Sequence, residues 1–112
     1  MMYKYEIEIT VDDNEDVTMS IELPDQGTAT HTTIDLPGSA DLQCTNECTE
    51  NIGKGADLKK ERTVVFTKAV NMDIDNDLVR VNYLVNGKVI VKHENPKSQD
   101  ESPLIKININ FK

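Results

Sequence analysis

The chain has 112 residues and a formal net charge of −8, with 5 glycines and 2 cysteines. This length is typical of one unit with its own core, so residues 1–112 are expected to form a single domain. The composition excludes collagen, coiled coils and disulfide-dense scaffolds, and no apolar run approaches the length of a membrane-spanning helix, so we expect no membrane insertion.

The first residues alternate between apolar and polar side chains, which is typical of a strand with one wet face. This run covers residues 3–11, and a second alternating run covers residues 17–23. Between them lies the acidic segment 12–16, whose residue types favour turns. We expect the two runs to form an antiparallel hairpin.

Residues 28–36 predict a strand that is polar on both faces, as suits the edge of a sheet. Thr28, Thr30 and Thr32 would share one of these faces and form a flat array of hydroxyl groups. Edge strands bind partners by strand addition, and a hydroxyl array suits a sugar. These three threonines are therefore candidate partner-binding residues.

Residues 37–61 show no regular pattern and contain both cysteines, Cys44 and Cys48. A stretch this long without regular structure is often functional. The cysteines favour three alternatives: two reduced thiols, a disulfide that shapes the loop, or a zinc site with His31 and His93 as distant ligands. A disulfide is favoured only if the protein leaves the cytoplasm.

Charge is unevenly placed along the chain. Residues 1–53 contain 12 acids and one base, whereas residues 54–112 contain 8 acids and 11 bases. A local basic cluster consists of Lys54, Lys59, Lys60, Arg62 and Lys68 and could meet the acidic loops of a neighbouring copy. Within it, the residues expected to bind a partner are Lys54, Lys59 and Lys60. No aromatic residue lies among these lysines, so direct nucleic-acid binding is not expected.

Residues 62–70 predict a strand with Val64, Phe66 and Val70 on one face and Val65 on the other. Residues 78–85 and 88–94 predict a hairpin, because Asn-Gly between alternating runs favours a type I′ turn. The alternating residues 104–111 predict a final strand.

Asp73, Asp75 and Asp77 have the spacing of the first half of a calcium loop, although the glycine and glutamate that complete such a loop are missing. The acidic segment 12–16 could share a calcium ion with them if both loops lie at one end of the domain. Two ordinary turns are the alternative.

Seven strands with turns mostly every 8–12 residues predict an all-β fold. We expect an antiparallel β-sandwich, immunoglobulin-like in broad architecture, with a small β-barrel as the alternative.

We find no phosphate-binding loop or nucleophile motif, so we expect no enzymatic activity and no cofactor beyond a possible calcium ion. The favoured function is a non-catalytic module for protein–protein interaction or self-assembly. The alternatives are a calcium- or carbohydrate-binding module of the cell envelope or extracellular space, and an acidic inhibitor that imitates nucleic acid. The start of the chain resembles no signal peptide, which favours the cytoplasm; removal of a signal would favour secretion or the envelope.

Overall fold

The computed structural model describes residues 1–112 as two packed β-sheets. The predicted all-β sandwich is confirmed, with nine strands instead of about seven. The four residues of α1 are the only helix, and the structure contains no helix with the length and apolar character to span a membrane. The elements are β1 (Met2–Ile9), β2 (Asp16–Glu22), β3 (Thr28–Asp35), β4 (Leu42–Thr45), β5 (Cys48–Lys54), α1 (Gly55–Leu58), β6 (Thr63–Asn71), β7 (Leu78–Val85), β8 (Lys88–Pro96) and β9 (Leu104–Phe111).

The sheets have five and four strands, in the orders β1-β9-β6-β3-β4 and β5-β2-β7-β8. Alternate residues of each strand point between the sheets and form the core. In β9, for example, the side chains of Ile105, Ile107 and Ile109 have no exposed surface. The final alternating run is therefore a central strand of the larger sheet, between β1 and β6.

The first strand does not form the predicted hairpin with β2. β1 lies parallel to β9 along its whole length, whereas β2 lies in the opposite sheet between β5 and β7. Residues 12–16 carry the chain across. The Gly55 amide donates to the Glu15 carbonyl over 2.9 Å, and a side chain at Gly55 would collide with the Asp12 carbonyl. Alternation specifies a strand with one buried face but not its neighbour, so the hairpin prediction is wrong.

The stretch 37–61, expected to be irregular, contains β4 and β5 and the disulfide between Cys44 and Cys48. The bond joins β4, an edge strand of the larger sheet, to β5, an edge strand of the smaller one. The cysteine Cα atoms are 6.1 Å apart, within the usual range for a disulfide. The structure thus has the disulfide, one of the three alternatives. These two edge strands were not predicted because they lack a continuous apolar alternation.

The third strand is not an edge strand, contrary to the prediction. β3 lies between β6 and β4, and Thr28, Thr30 and Thr32 are all buried. The Thr32 and Thr67 hydroxyls lie 3.0 Å apart, and the Tyr83 hydroxyl donates to Thr67 over 2.7 Å. Thr32 is satisfied by Thr67, whereas the buried hydroxyls of Thr28 and Thr30 have no hydrogen-bond partner. The three threonines therefore cannot present a hydroxyl array to a sugar or a partner.

The predicted hairpin of β7 and β8 is confirmed. Its turn residues Asn86 and Gly87 have φ values of 50° and 78°, as a type I′ turn requires. The Asn86 side chain also accepts a hydrogen bond from the Thr18 amide over 2.9 Å and donates to Glu15 over 2.6 Å. This turn therefore anchors both the start of β2 and the loop that precedes it.

The edges of the sandwich opposite the disulfide meet through an aromatic cluster. His93 of β8 is buried and lies between Tyr3 and Tyr5 of β1. The Tyr3 and His93 ring centroids are 4.7 Å apart with an edge-to-face orientation, and the Tyr5 hydroxyl lies 2.8 Å from His93 Nδ1. Both open sides of the sandwich are thus bridged, one by a covalent bond and one by this cluster.

Hydrogen bonds around His93 define its tautomer. The Asn95 amide nitrogen donates to the carbonyl groups of Pro96 and Asp100, each over 2.9 Å, so its oxygen faces His93. His93 Nε2 lies 2.8 Å from that oxygen and must carry the proton. His93 Nδ1 then accepts the hydrogen bond from the Tyr5 hydroxyl, and the neutral ring satisfies both neighbours.

Reduction of the Cys44–Cys48 bond is expected to lower the free energy of unfolding by about 2 kcal/mol, because the bond closes only a short loop. Urea denaturation with and without dithiothreitol measures this change. The double variant Cys44→Ala/Cys48→Ala is the control, since its midpoint should not respond to the reductant. An unchanged midpoint for the reduced native chain would contradict the expectation.

Acid is expected to weaken the fold through His93. Burial lowers the pKa of His93, against the smaller opposing effects of Asn95, Asp100 and Glu94. The unfolded chain then binds more protons, so the contribution is complete above the ordinary histidine pKa of about 6.5 and is lost as the pH falls below it.

Urea midpoints at about pH 7.5 and about pH 5 test this linkage. The substitution His93→Gln should make the difference between the two urea midpoints smaller than it is in the native chain, because it removes the contribution of His93. His31→Gln is the matched control, because His31 is exposed. Equal pH dependence in the native chain and His93→Gln would refute the assignment.

Candidate binding surface

The lysines predicted to bind a partner are paired within the chain. Two of them contact the acidic loop 12–16, so the basic cluster and the acidic loop of one molecule already neutralise each other in part. The third contacts a neighbour in α1. The pairs are Lys54–Asp16 at 2.8 Å, Lys59–Asp13 at 2.6 Å and Lys60–Asp57 at 3.3 Å. This intramolecular pairing leaves less free charge for the expected contact with another copy.

The predicted shared calcium site is not formed. β2 and β7 are antiparallel, so the loop 12–16 before β2 and the loop 72–77 before β7 lie at opposite ends of the sandwich. Asp73, Asp75 and Asp77 are exposed, and no group of three or more acidic, histidine or cysteine side chains is placed to hold a metal ion. The zinc alternative also fails, because both cysteines are in the disulfide.

The three aspartates instead belong to a braced turn, residues 72–77, that we name the isoleucine loop. The Asp73 carboxylate accepts from the Asp75 amide over 3.0 Å, and Lys97 Nζ donates to the Asp73 carbonyl over 2.8 Å. These bonds hold the loop while Ile74 and Met72 remain 89% and 68% exposed. The loop therefore displays two large apolar side chains among carboxylates.

The neighbouring loop, residues 24–27, supports the isoleucine loop. Arg80 makes two hydrogen bonds to the Asp25 carboxylate, over 2.6 and 2.9 Å. These bonds hold the pKa of Asp25 below its ordinary value. The Met72 amide donates to the Gly27 carbonyl over 2.9 Å, which joins the two loops.

A cleft of about 430 Å³ lies at the other end of the sandwich, beside α1. Its apolar floor consists of Ile52 and Leu58, both buried beneath the surface. Of its charged residues, Lys60 is paired with Asp57, which leaves Glu61 as the one unpaired charge. This lining offers little for a small molecule to recognise.

The outer surface of the larger sheet carries a different set of basic residues. Lys4 of β1, Lys106 of β9 and Lys68 of β6 lie around Phe66, on the side of the sheet away from the core. We name these four residues the lysine face. The basic cluster expected from the sequence contains Lys68 but none of the other three residues.

Strand register fixes the arrangement of the lysine face. Lys4 is directly paired with Lys106, and Lys106 with Phe66, so their Cβ atoms are about 5 Å apart. Lys68 lies two residues from Phe66 along the same strand and therefore on the same side. The two rows that cross the sheet here contain no acidic residue: Lys4, Lys106, Phe66, Thr33 and Gln43 form one, and Met2, Leu104, Lys68, His31 and Thr45 form the other.

The three lysines have no carboxylate partner. None of the ion pairs in the structure involves Lys4, Lys68 or Lys106. Like charges that are directly paired across strands repel each other, so the Lys4–Lys106 pair is unfavourable in the free protein. A bound anion would relieve this repulsion, which makes the lysine face a plausible acceptor of negative charge.

Hydrogen-bond donors border the lysine face. The Gln43 side-chain oxygen lies 2.8 Å from His31 Nε2 and accepts from the Thr33 hydroxyl over 3.0 Å. Its amide nitrogen is thereby directed away from these neighbours and can donate to a ligand. An acidic ligand bound over Phe66 would thus lie between the ammonium group of Lys106 and the side-chain amide of Gln43.

The lysine face escaped prediction for two physical reasons. Its lysines lie on three strands, and only the parallel pairing of β1 with β9 brings Lys4 beside Lys106. The other reason is the orientation of β6, whose face with Phe66 is the more apolar in sequence but points outward. The one available signal was the alternation of Lys4 and Lys106 with neighbouring apolar residues.

Comparison of the chain with protein-family models, with curated proteins and with solved structures finds no significant match. The geometry of the chain itself is therefore the basis for its functional interpretation.

Proposed function

We propose that this protein is a non-catalytic protein-interaction module that binds an acidic segment of a partner through the lysine face. The observation that carries the proposal is the group of three unpaired lysines around Phe66, on the outer side of a rigid sheet. The partner segment would place carboxylates beside the lysines and an apolar side chain against the phenyl ring.

Apolar surroundings favour a protein partner. Phe66 is half-buried, and so is Val64, its neighbour on the same side of β6; Val70 is also half-buried but lies beyond Lys68. A sugar would need aromatic platforms for stacking, and this face has a single aromatic ring. A peptide side chain of moderate size can cover that ring and the adjacent Val64.

Both histidines support a role without catalysis. The two ring nitrogens of His93 are occupied by Tyr5 and Asn95, and the ring is buried. His31 is exposed and hydrogen-bonded to Gln43. Neither ring is hydrogen-bonded to a serine, threonine or cysteine side chain, and we interpret both histidines as structural groups, His31 at the border of the proposed surface.

The other functions expected from the sequence have less support. The calcium- or carbohydrate-binding module depends on a shared ion site and an exposed threonine array, and the structure contains neither. The acidic inhibitor that imitates nucleic acid stays a prediction, and the pairing of Asp13 and Asp16 with lysines reduces the free negative charge that it requires.

The disulfide bears on the compartment. Disulfides persist in secreted and envelope proteins and are rare in the reducing cytosol. The Cys44–Cys48 bond therefore supports an oxidising compartment as our proposal, in place of the cytoplasm expected from the sequence.

Titration of the isotope-labelled protein with capped peptides tests the proposed surface. The probe is Asp-Asp-Leu-Asp-Asp, and its control is Asn-Asn-Leu-Asn-Asn. We expect amide shifts in β1, β6 and β9 for the acidic peptide only. A screened lysine–carboxylate pair contributes about 0.5 kcal/mol, so Lys4→Gln/Lys68→Gln/Lys106→Gln should weaken binding about tenfold.

Lys88→Gln/Lys92→Gln is the matched control, because these exposed lysines belong to the other sheet. It should leave the affinity unchanged. Equal binding of the neutral peptide, or an equal loss in both lysine variants, would refute the proposal. Heparin tests the glycan alternative. If the acidic peptide binds and heparin does not displace it, a protein partner is favoured. If heparin binds and the peptide does not, the proposal of a protein partner is overturned.

A further inference from the structure

The isoleucine loop has the chemistry that the lysine face is proposed to bind. Asp73, Asp75 and Asp77 are exposed around the 89% exposed side chain of Ile74. The loop thus combines three carboxylates with an apolar tip, opposite in charge to three lysines around an apolar ring. We infer that the partner is a second copy of this chain, whose isoleucine loop docks on the lysine face; this inference rests on the proposed function.

Charge favours this pairing. Lys97 is bonded to the Asp73 carbonyl, so three carboxylates and one ammonium leave the loop with a local charge of −2. The lysine face carries +3 and forms no ion pair, because the carboxylate of Glu6, two residues from Lys4 on the same side of β1, accepts a hydrogen bond from Asn108 instead. At physiological ionic strength the screening length is about 8 Å, so contacts between loop and face persist while the repulsion between whole molecules of charge −8 is damped.

The other acidic loop is a poorer occupant. In the loop 12–16, Asp13 and Asp16 are already paired with Lys59 and Lys54. That loop also presents no large exposed apolar side chain. The isoleucine loop alone combines free carboxylates with an apolar group for Phe66.

The contact must form between molecules. The isoleucine loop is fixed at the end of the sandwich by its bonds to Lys97 and Gly27, whereas the lysine face lies on the side of the larger sheet. The loop at the end of one copy would therefore contact the side of the next copy.

Such a head-to-tail contact leaves one loop and one face free, so it extends into chains or closes into a ring. A single loop buries little area, so the association should be weak and depend on concentration.

Sedimentation velocity over a range of protein concentrations tests the inference. The native chain should shift to larger species as its concentration rises. Lys68→Gln/Lys106→Gln should weaken the face and Asp75→Asn/Asp77→Asn the loop, each about fivefold, so each variant alone should be mostly monomeric at concentrations where the native chain associates. The side chains of Asp75 and Asp77 make no hydrogen bond within the chain, and their change should not disturb the loop.

An equimolar mixture of the two variants gives the decisive result. One intact loop meets one intact face, so the mixture should form heterodimers and no larger species. The chain Lys68→Glu/Lys106→Glu/Asp75→Lys/Asp77→Lys should regain self-association, because both charges are reversed. Urea midpoints close to that of the native chain confirm that every variant is folded.

A native chain that stays monomeric at every concentration would overturn the inference, as would a mixture that contains no heterodimer. The proposed function is separable from this result. If Asp-Asp-Leu-Asp-Asp binds the lysine face of a strictly monomeric protein, the face is a binding site for another partner. If neither the peptide nor a second copy binds, both proposals fail.

Discussion

The parallel pairing of β1 with β9 is the constraint on which the other features depend. It adds a strand to the larger sheet and leaves β2 to the smaller one. It also places Tyr3 and Tyr5 over His93, which bridges one open side of the sandwich. On its outer side the same pairing sets Lys4 beside Lys106 and creates half of the lysine face.

The sandwich is held at both sides by specific contacts, and its core is partly polar. A hydrogen-bonded group of three side chains lies between the sheets and consists of Thr32, Thr67 and Tyr83. Apolar side chains at these positions would need no hydrogen-bond partners. Buried polar groups cost free energy unless they are bonded, so these positions define one arrangement of the sheets. The disulfide and the His93 cluster then fix the edges.

Some charged residues are paired within the molecule, whereas others remain unpaired at its surface. Basic and acidic residues at the α1 end neutralise each other within the molecule, as in the pair of Lys59 with Asp13. The lysine face and the isoleucine loop are left with unbalanced charge of opposite sign. A rigid sheet and a braced turn hold these charges in place, which reduces the entropy that binding would cost. The molecule thus offers two complementary surfaces on a framework that does not need to rearrange.

The sequence alone determined the elements whose signals are local. Period-two alternation located the final strand, and Asn86-Gly87 defined a hairpin because its turn needs two positive φ angles. The all-β sandwich followed from these patterns. Only the tertiary structure decided which strands are neighbours and which face of β6 is buried, since alternation is the same for any partner strand. The burial of Thr32, the disulfide across two edges and the meeting of Lys4 with Lys106 all depend on contacts between residues distant in sequence or on different sheets. For that reason Lys54, Lys59 and Lys60, expected from the sequence to bind a partner, proved to be paired, and only the register of three strands brought Lys68 together with Lys4 and Lys106.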